Sequence, residues 1–81
     1  TMVDLDHHKL ASMQPKLQYR PSMRELEVVR ELAKGKSSKE IAVALSISVL
    51  TVSTHRRNLL GRTGTHNTPE LVHQAMERGW L

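Results

Sequence analysis

The chain has 81 residues, enough for one small domain, and it contains no cysteine, which excludes a disulfide scaffold and a thiolate zinc site. Its only aromatic residues are Tyr19 and Trp80, so the core must be aliphatic, and this favours a helical bundle over an aromatic-rich β fold. The net charge is +4, and no acidic residue occurs between Glu40 and Glu70. A basic stretch without acids indicates a polyanionic partner, most commonly nucleic acid.

The first 20 residues show weak periodicity and contain Pro15. They are predicted to be a linker or tail, in part an expression remnant, and the folded domain is predicted over 21–81. His7 and His8 are adjacent but lack a third ligand, so neither a metal site nor a cofactor is predicted. The longest apolar run, IAVAL, is far shorter than the roughly 20 residues that span a bilayer, so a cytoplasmic protein is expected.

Three stretches begin with a small polar residue followed three residues later by glutamate, the spacing of a helix capping box. These pairs are Ser22 with Glu25, Ser37 with Glu40, and Asn67 with Glu70. Apolar residues then recur at helical spacing, and Gly35 and Gly79 follow the first and last runs where a helix terminator is expected. The sequence therefore predicts an all-α domain with four helices at about 23–34, 38–45, 49–62 and 68–78.

The third predicted helix is the least obvious, because Val49, Thr51, Val52 and Thr54 are β-branched and favour a strand. However, no second strand-like run or hairpin turn offers this segment a partner. Ser48 is a good N-cap, and tertiary packing outweighs a propensity penalty of about a few tenths of a kcal/mol per residue. A helix is therefore predicted, and the three-residue turn before it is typical of a helix-turn-helix motif.

The outward face of this third helix is small, polar and basic when Val52 points inward on a helical wheel. A helix entering a major groove avoids acids near phosphates, whereas a merely solvated helix usually mixes acids with lysines. The residues predicted to read bases are Leu50, Ser53, Thr54 and Arg57. The residues predicted to contact phosphates are Lys36, Lys39, Thr51, Arg56, Asn58 and Arg62.

The fourth predicted helix carries an apolar stripe that can serve both the core and a second copy of the chain. Leu71 and Ala75 are predicted to pack into the core. Because DNA sites are often read twice by dimers, Val72, His73 and Met76 are predicted to form a dimer surface.

Over about 21–81 the sequence resembles a known family, the LuxR/FixJ/NarL class of DNA-binding effector domains, often called the GerE type. The shared positions are Arg24-Glu25-Leu26-Glu27-Val28, Gly35, Lys39-Glu40-Ile41-Ala42, Ile47-Ser48, Thr51-Val52, Thr54-His55, Gly64, Asn67 and Glu70-Leu71-Val72. The resemblance implies that the third helix recognises DNA, that the fourth helix dimerises, and that the domain follows a receiver or ligand-sensing domain. It places the family's base-contacting positions on Ser53, Thr54 and Arg57.

The sequence departs from the family pattern at several positions. Ser46 occupies a turn position that is often Gly or Asp, and a positive φ there would cost up to about 1 kcal/mol. Val49 and Leu50 replace a pair that is usually polar, which leaves apolar surface. Gly61 and Thr63 stand where a basic residue and a leucine are usual, which weakens the end of the third helix.

Three hypotheses for function follow from these patterns. The leading one is a sequence-specific transcriptional regulator that binds double-stranded DNA as a homodimer, with RNA polymerase as a candidate partner. The alternative keeps the fold but makes it a module like region four of a sigma factor, or an adaptor that binds protein through Val49 and Leu50. An enzyme is not predicted, because no paired carboxylate, activated nucleophile or Gly-rich phosphate loop is present.

Overall fold

The computed structural model describes residues 19–81 as four α-helices without a strand. The helices are α1 (Met23–Ala33), α2 (Ser38–Leu45), α3 (Val49–Thr63) and α4 (Thr68–Glu77). The predicted all-α fold is therefore confirmed, and each helix end lies within one residue of its prediction. The His7 and His8 pair and most of the predicted linker lie outside the described residues.

The first two helices begin with complete capping boxes. At α1 the Glu25 amide donates to Ser22 Oγ over 3.1 Å, and the Ser22 amide donates to Glu25 Oε1 over 2.9 Å. At α2 the matching distances between Glu40 and Ser37 are 3.2 and 2.8 Å. These reciprocal bonds satisfy amides that a helix start otherwise leaves unpaired.

The start of α4 differs from its prediction in one respect. Asn67 caps the helix by accepting from the Glu70 amide over 2.9 Å, but the Glu70 carboxylate accepts from the amide of His66 over 2.8 Å, not from that of Asn67. Asn67 itself has extended backbone, with φ −157° and ψ 171°. The predicted capping box is therefore half formed, and the bond from His66 holds the pKa of Glu70 below its ordinary range.

The core lies where α1, α2 and α4 pack around α3. Within the described residues its buried members are aliphatic: Val28, Val29, Leu32, Ile41, Ala42, Val52, Leu59, Leu71 and Ala75. Burial of Val52 and Leu59 explains why α3 is a helix despite its β-branched residues. Among residues 19–81 no helix is long and apolar enough to cross a membrane.

Residues with positive φ end both α2 and α3. Ser46 has φ 57° and ψ 44°, and the amide of Ile47 next to it donates to the Ala42 carbonyl over 3.0 Å. This left-handed residue turns the chain from α2 into α3. Gly64 has φ 72° and ends the helix. The helix α3 therefore includes Gly61 and ends at Thr63.

Candidate nucleic-acid interface

One face of α3 carries all four residues predicted to read bases. Leu50, Ser53, Thr54 and Arg57 have the spacing i, i+3, i+4 and i+7, which brings their side chains into one stripe along the helix. Leu50 and Arg57 are exposed, and Ser53 and Thr54 are half-buried. Val52 on the opposite side is fully buried. Packing of the core therefore fixes which face α3 presents to solvent.

The start of α3 suits an approaching anion. Ser48 Oγ accepts from the Thr51 amide over 3.0 Å, and the Ser48 and Thr51 hydroxyls are 2.8 Å apart. The first turn contains no acidic residue. The positive end of the helix dipole is therefore not neutralised by a carboxylate on its own helix. Thr51, predicted to contact phosphate, is exposed here with its hydroxyl bonded to the cap.

Arg56 and Asn58 lie on the two sides of this stripe. Asn58 is exposed, whereas Arg56 is half-buried. Arg56 and Arg57 line a groove of about 440 Å³ between α3 and the start of α4, and the remaining lining residues are Ser53, Leu60, His66, Asn67 and Thr68. Nothing in the sequence indicates that the segment before α4 lies beside these arginines, because Asn67 has only the pattern of a helix cap.

The two lysines predicted to contact phosphate differ in their surroundings. Lys36 Nζ contacts Glu31 Oε1, while Lys34 Nζ lies 3.0 Å from Glu31 Oε2. Hydrogen bonds from Lys36 and then Lys34 lower the pKa of Glu31. Lys39 is exposed on α2. Both Lys36 and Lys39 border an apolar groove of about 750 Å³ that also includes Val43.

Arg62 is held against a buried carboxylate on the α1 side of the domain. Its Nη1 lies 3.4 Å from Glu25 Oε2, and its guanidinium lies 5.6 Å from the centre of the Tyr19 ring. Tyr19 donates its hydroxyl to Glu25 Oε1 over 2.9 Å and meets Trp80 edge-on at 5.9 Å. Burial raises the pKa of Tyr19. These contacts tie the segment before α1 to the end of α3.

The residues predicted to form a dimer surface share an accessible part of α4. Met76 is 63% exposed, His73 is exposed with Nε2 3.3 Å from Glu77 Oε2, and Val72 is partly buried against the core. Leu71 and Ala75 are fully buried, as predicted. Within residues 19–81 no group of three His, Asp or Glu side chains is placed to hold a metal ion.

A short helix, a tight turn and a longer helix with an exposed, acid-free face of hydroxyls and arginine define a helix-turn-helix DNA-binding domain. Comparison with known families agrees, because residues 22–75 match the family described as bacterial regulatory proteins, luxR family. The chain belongs to this LuxR family and is its DNA-binding effector domain for transcription regulation. The resemblance predicted from the sequence is thus confirmed.

Similar proteins include longer regulators. The chain is 42% identical over 60 residues to the oxygen regulatory protein NreC of Staphylococcus aureus strains JH9 and NCTC 8325. This match covers 74% of the chain and 28% of NreC. Among solved structures, the response regulator ChrA of a heme-sensing two-component system gives a TM-score of 0.73 at 29% identity, over 90% of this chain and 37% of ChrA. The chain therefore spans between a quarter and two fifths of these relatives.

Proposed function

We propose that the domain reads a specific DNA sequence by inserting α3 into the major groove. The observation that carries this proposal is the stripe that ends in Arg57, since none of its residues belongs to the buried core and both its ends, Leu50 and Arg57, are exposed. Arg57 is exposed and can donate two hydrogen bonds to O6 and N7 of guanine. Ser53 and Thr54 supply hydroxyls that can bond to several base edges.

Side chains next to this stripe hold the DNA backbone and set the register. Arg56 and Asn58 flank the stripe, and Thr51 and Lys39 stand near helix starts whose free amides favour phosphate. Lys36 and Arg62 contact carboxylates of their own domain. Each keeps free N–H donors that can bond to phosphate, but the pairing with Glu31 or Glu25 offsets its charge, so their share of the affinity is the smaller one.

The domain is further proposed to work as the C-terminal part of a cytoplasmic response regulator. The greater length of NreC and ChrA supports a place within a longer regulator, since the matched part is a fraction of each. Two copies would pair through Val72, His73 and Met76 on adjacent half-sites, each presenting its α3 to one half-site. RNA polymerase is the proposed protein partner of the DNA-bound dimer.

One observation favours a second candidate function, a protein-binding adaptor or a module like region four of a sigma factor. Val43 and Val49 are exposed and line the apolar groove at the turn between α2 and α3. Exposed apolar surface of this kind often marks a protein contact. This candidate predicts that the domain retains core RNA polymerase in a pull-down yet prefers no DNA sequence.

Substitution of Arg57 tests the leading proposal. Arg57→Ala should weaken specific binding by about 1–3 kcal/mol and relax the preference at one base pair, as judged by fluorescence anisotropy against single-base variants of the site. Arg30→Ala is the matched control, because Arg30 is an exposed arginine on α1 and outside the proposed interface. An equal loss on every sequence, with the preference unchanged, would reassign Arg57 to a phosphate.

A further inference from the structure

Leu50 is an apolar side chain on a face of α3 whose other members, Ser53, Thr54 and Arg57, are polar. It is 75% exposed, and it belongs neither to the core nor to the partly buried residues that pack against the core. It also lies outside the apolar groove, which is lined by Val43 and Val49. Leu50 therefore lies outside the groove itself, although it adjoins Val49, with which it forms the apolar pair of the adaptor hypothesis.

The position of Leu50 on α3 identifies what could cover it. Ser53, Thr54 and Arg57 follow at i+3, i+4 and i+7, so Leu50 begins the same stripe. Any surface that this stripe contacts also meets Leu50. Among the groups that base pairs present in the major groove, the apolar one is the C5 methyl of thymine, whereas the others donate or accept hydrogen bonds.

We propose that Leu50 determines specificity by packing against the C5 methyl of a thymine in the target half-site. This inference rests on the proposed function, because it requires that α3 lie in the major groove. Leucine offers no hydrogen bond, so it discriminates through burial of the methyl group and the exclusion of water from both apolar surfaces. A polar base edge at the same place would lose its water without gaining a partner.

The spacing along α3 also places this thymine within the half-site. Arg57 lies seven positions after Leu50, and this offset corresponds to about 10 Å along the helix axis. Base pairs rise by about 3.4 Å, and their edges turn with the groove, so this length spans about two to three base pairs. The thymine should therefore lie about two to three pairs from the guanine that Arg57 reads.

Replacement of thymine by deoxyuridine tests the inference, because it removes the methyl group and leaves every hydrogen-bonding group in place. Each thymine of the selected half-site is replaced singly, and the dissociation constant of the full chain is measured by anisotropy. At one position the wild-type protein should bind about fourfold more weakly, the effect of one buried methyl group. Leu50→Ala should bind the two duplexes equally well.

Two further variants make the result specific to Leu50. Val43→Ala truncates another exposed apolar side chain, which is 82% exposed on α2 and lies off the stripe of α3, so the fourfold effect should persist. Thr54→Ser removes the methyl group of the nearest rival on the stripe, and the effect should persist there as well. Because Leu50 is exposed, Leu50→Ala should keep the wild-type melting temperature.

Three kinds of result would overturn the inference. If specific binding holds but Leu50→Ala keeps the full methyl effect, or if Thr54→Ser abolishes it, Leu50 is not the methyl reader. If the chain prefers no DNA sequence at all, the proposed function itself fails and takes this inference with it. Retention of core RNA polymerase that is lost in Leu50→Ala, without any methyl effect, would assign Leu50 to a protein contact.

Discussion

Replacement of Glu25 should separate its hydrogen bonds from its charge. Glu25 is 5% exposed, and its Oε1 accepts from both the Ser22 amide and the Tyr19 hydroxyl at 2.9 Å. Its Oε2 faces Arg62 at 3.4 Å. The carboxylate therefore has one oxygen for hydrogen bonds within the α1 side of the domain and one for the ion pair with α3.

The two oxygens should have unequal weight in the free energy of unfolding. Glu25→Ala deprives the Ser22 amide and the Tyr19 hydroxyl of their acceptor, at about 0.5–1.5 kcal/mol each. The Arg62 side chain is 55% exposed, so its ion pair adds only about 0.2–1 kcal/mol. The expected loss is about 2–3 kcal/mol, which lowers the melting temperature of a domain this small by about 10–20 °C.

Glu25→Gln keeps an oxygen for the Ser22 amide and the Tyr19 hydroxyl, and it opposes Arg62 with an amide group. Arg62 can swing into solvent, so the expected loss is at most about 1 kcal/mol. Glu27→Ala is the control, because Glu27 pairs with Arg24 at 3.1 Å on the surface of the same helix, and it should change stability by less than about 0.5 kcal/mol. Thermal and urea unfolding measure all three variants. The reasoning is refuted if Glu25→Gln is as damaging as Glu25→Ala, or if Glu25→Ala is as mild as Glu27→Ala.

Three further predictions concern the turn between α2 and α3, the loss of stability at low pH, and the dimer. Ser46→Gly relieves the left-handed φ of 57° but loosens the unfolded chain, so thermal unfolding should show a net gain of about 0.5 kcal/mol; a loss would mean that Ser46 is unstrained. The lowered pKa of Glu31 stabilises the fold above its ordinary value of 4.5, and this share is lost as pH falls through the lowered folded pKa. Glu31→Gln should accordingly lose less of its free energy of unfolding than the wild type as pH falls, as measured by urea unfolding at a series of pH values. An unchanged pH dependence in the variant would count against that assignment. Met76→Lys should leave the melting temperature unchanged, since Met76 is 63% exposed, while anisotropy shows that a duplex with two half-sites no longer binds better than one with a single half-site. An undiminished preference for the paired site would move the dimer contact elsewhere.

Local signals in the sequence predicted the fold well. Ser22, Ser37, Ser48 and Asn67 cap the four helices where the polar residues indicated helix starts. These signals depend on residues three or four apart, so they can be read from a short window. The β-branched segment of α3 required a further argument, namely that no second strand was available.

Contacts between distant segments could not be predicted in the same way. Arg62 and Glu25 are 37 residues apart, and their ion pair depends on how α3 crosses α1. The sequence predicts that Tyr19 lies in the linker, because nothing local indicates that its hydroxyl reaches Glu25. Lys36 likewise has the sequence pattern of a solvated or phosphate-binding lysine. In the structure the turn after α1 places it beside Glu31. The helical wheel did predict that Leu50, Ser53, Thr54 and Arg57 share one face, because all four lie on a single helix.

Selection from a random duplex library tests the central claim most directly. The chain is incubated with the library at moderate salt, bound duplexes are sequenced, and the affinity of the enriched sequence is followed by anisotropy as salt increases. Specific readout by α3 predicts an enriched palindrome with half-sites about one helical turn apart. Binding that falls steeply with salt but enriches no motif would contradict the account, because attraction to phosphates alone would then explain it.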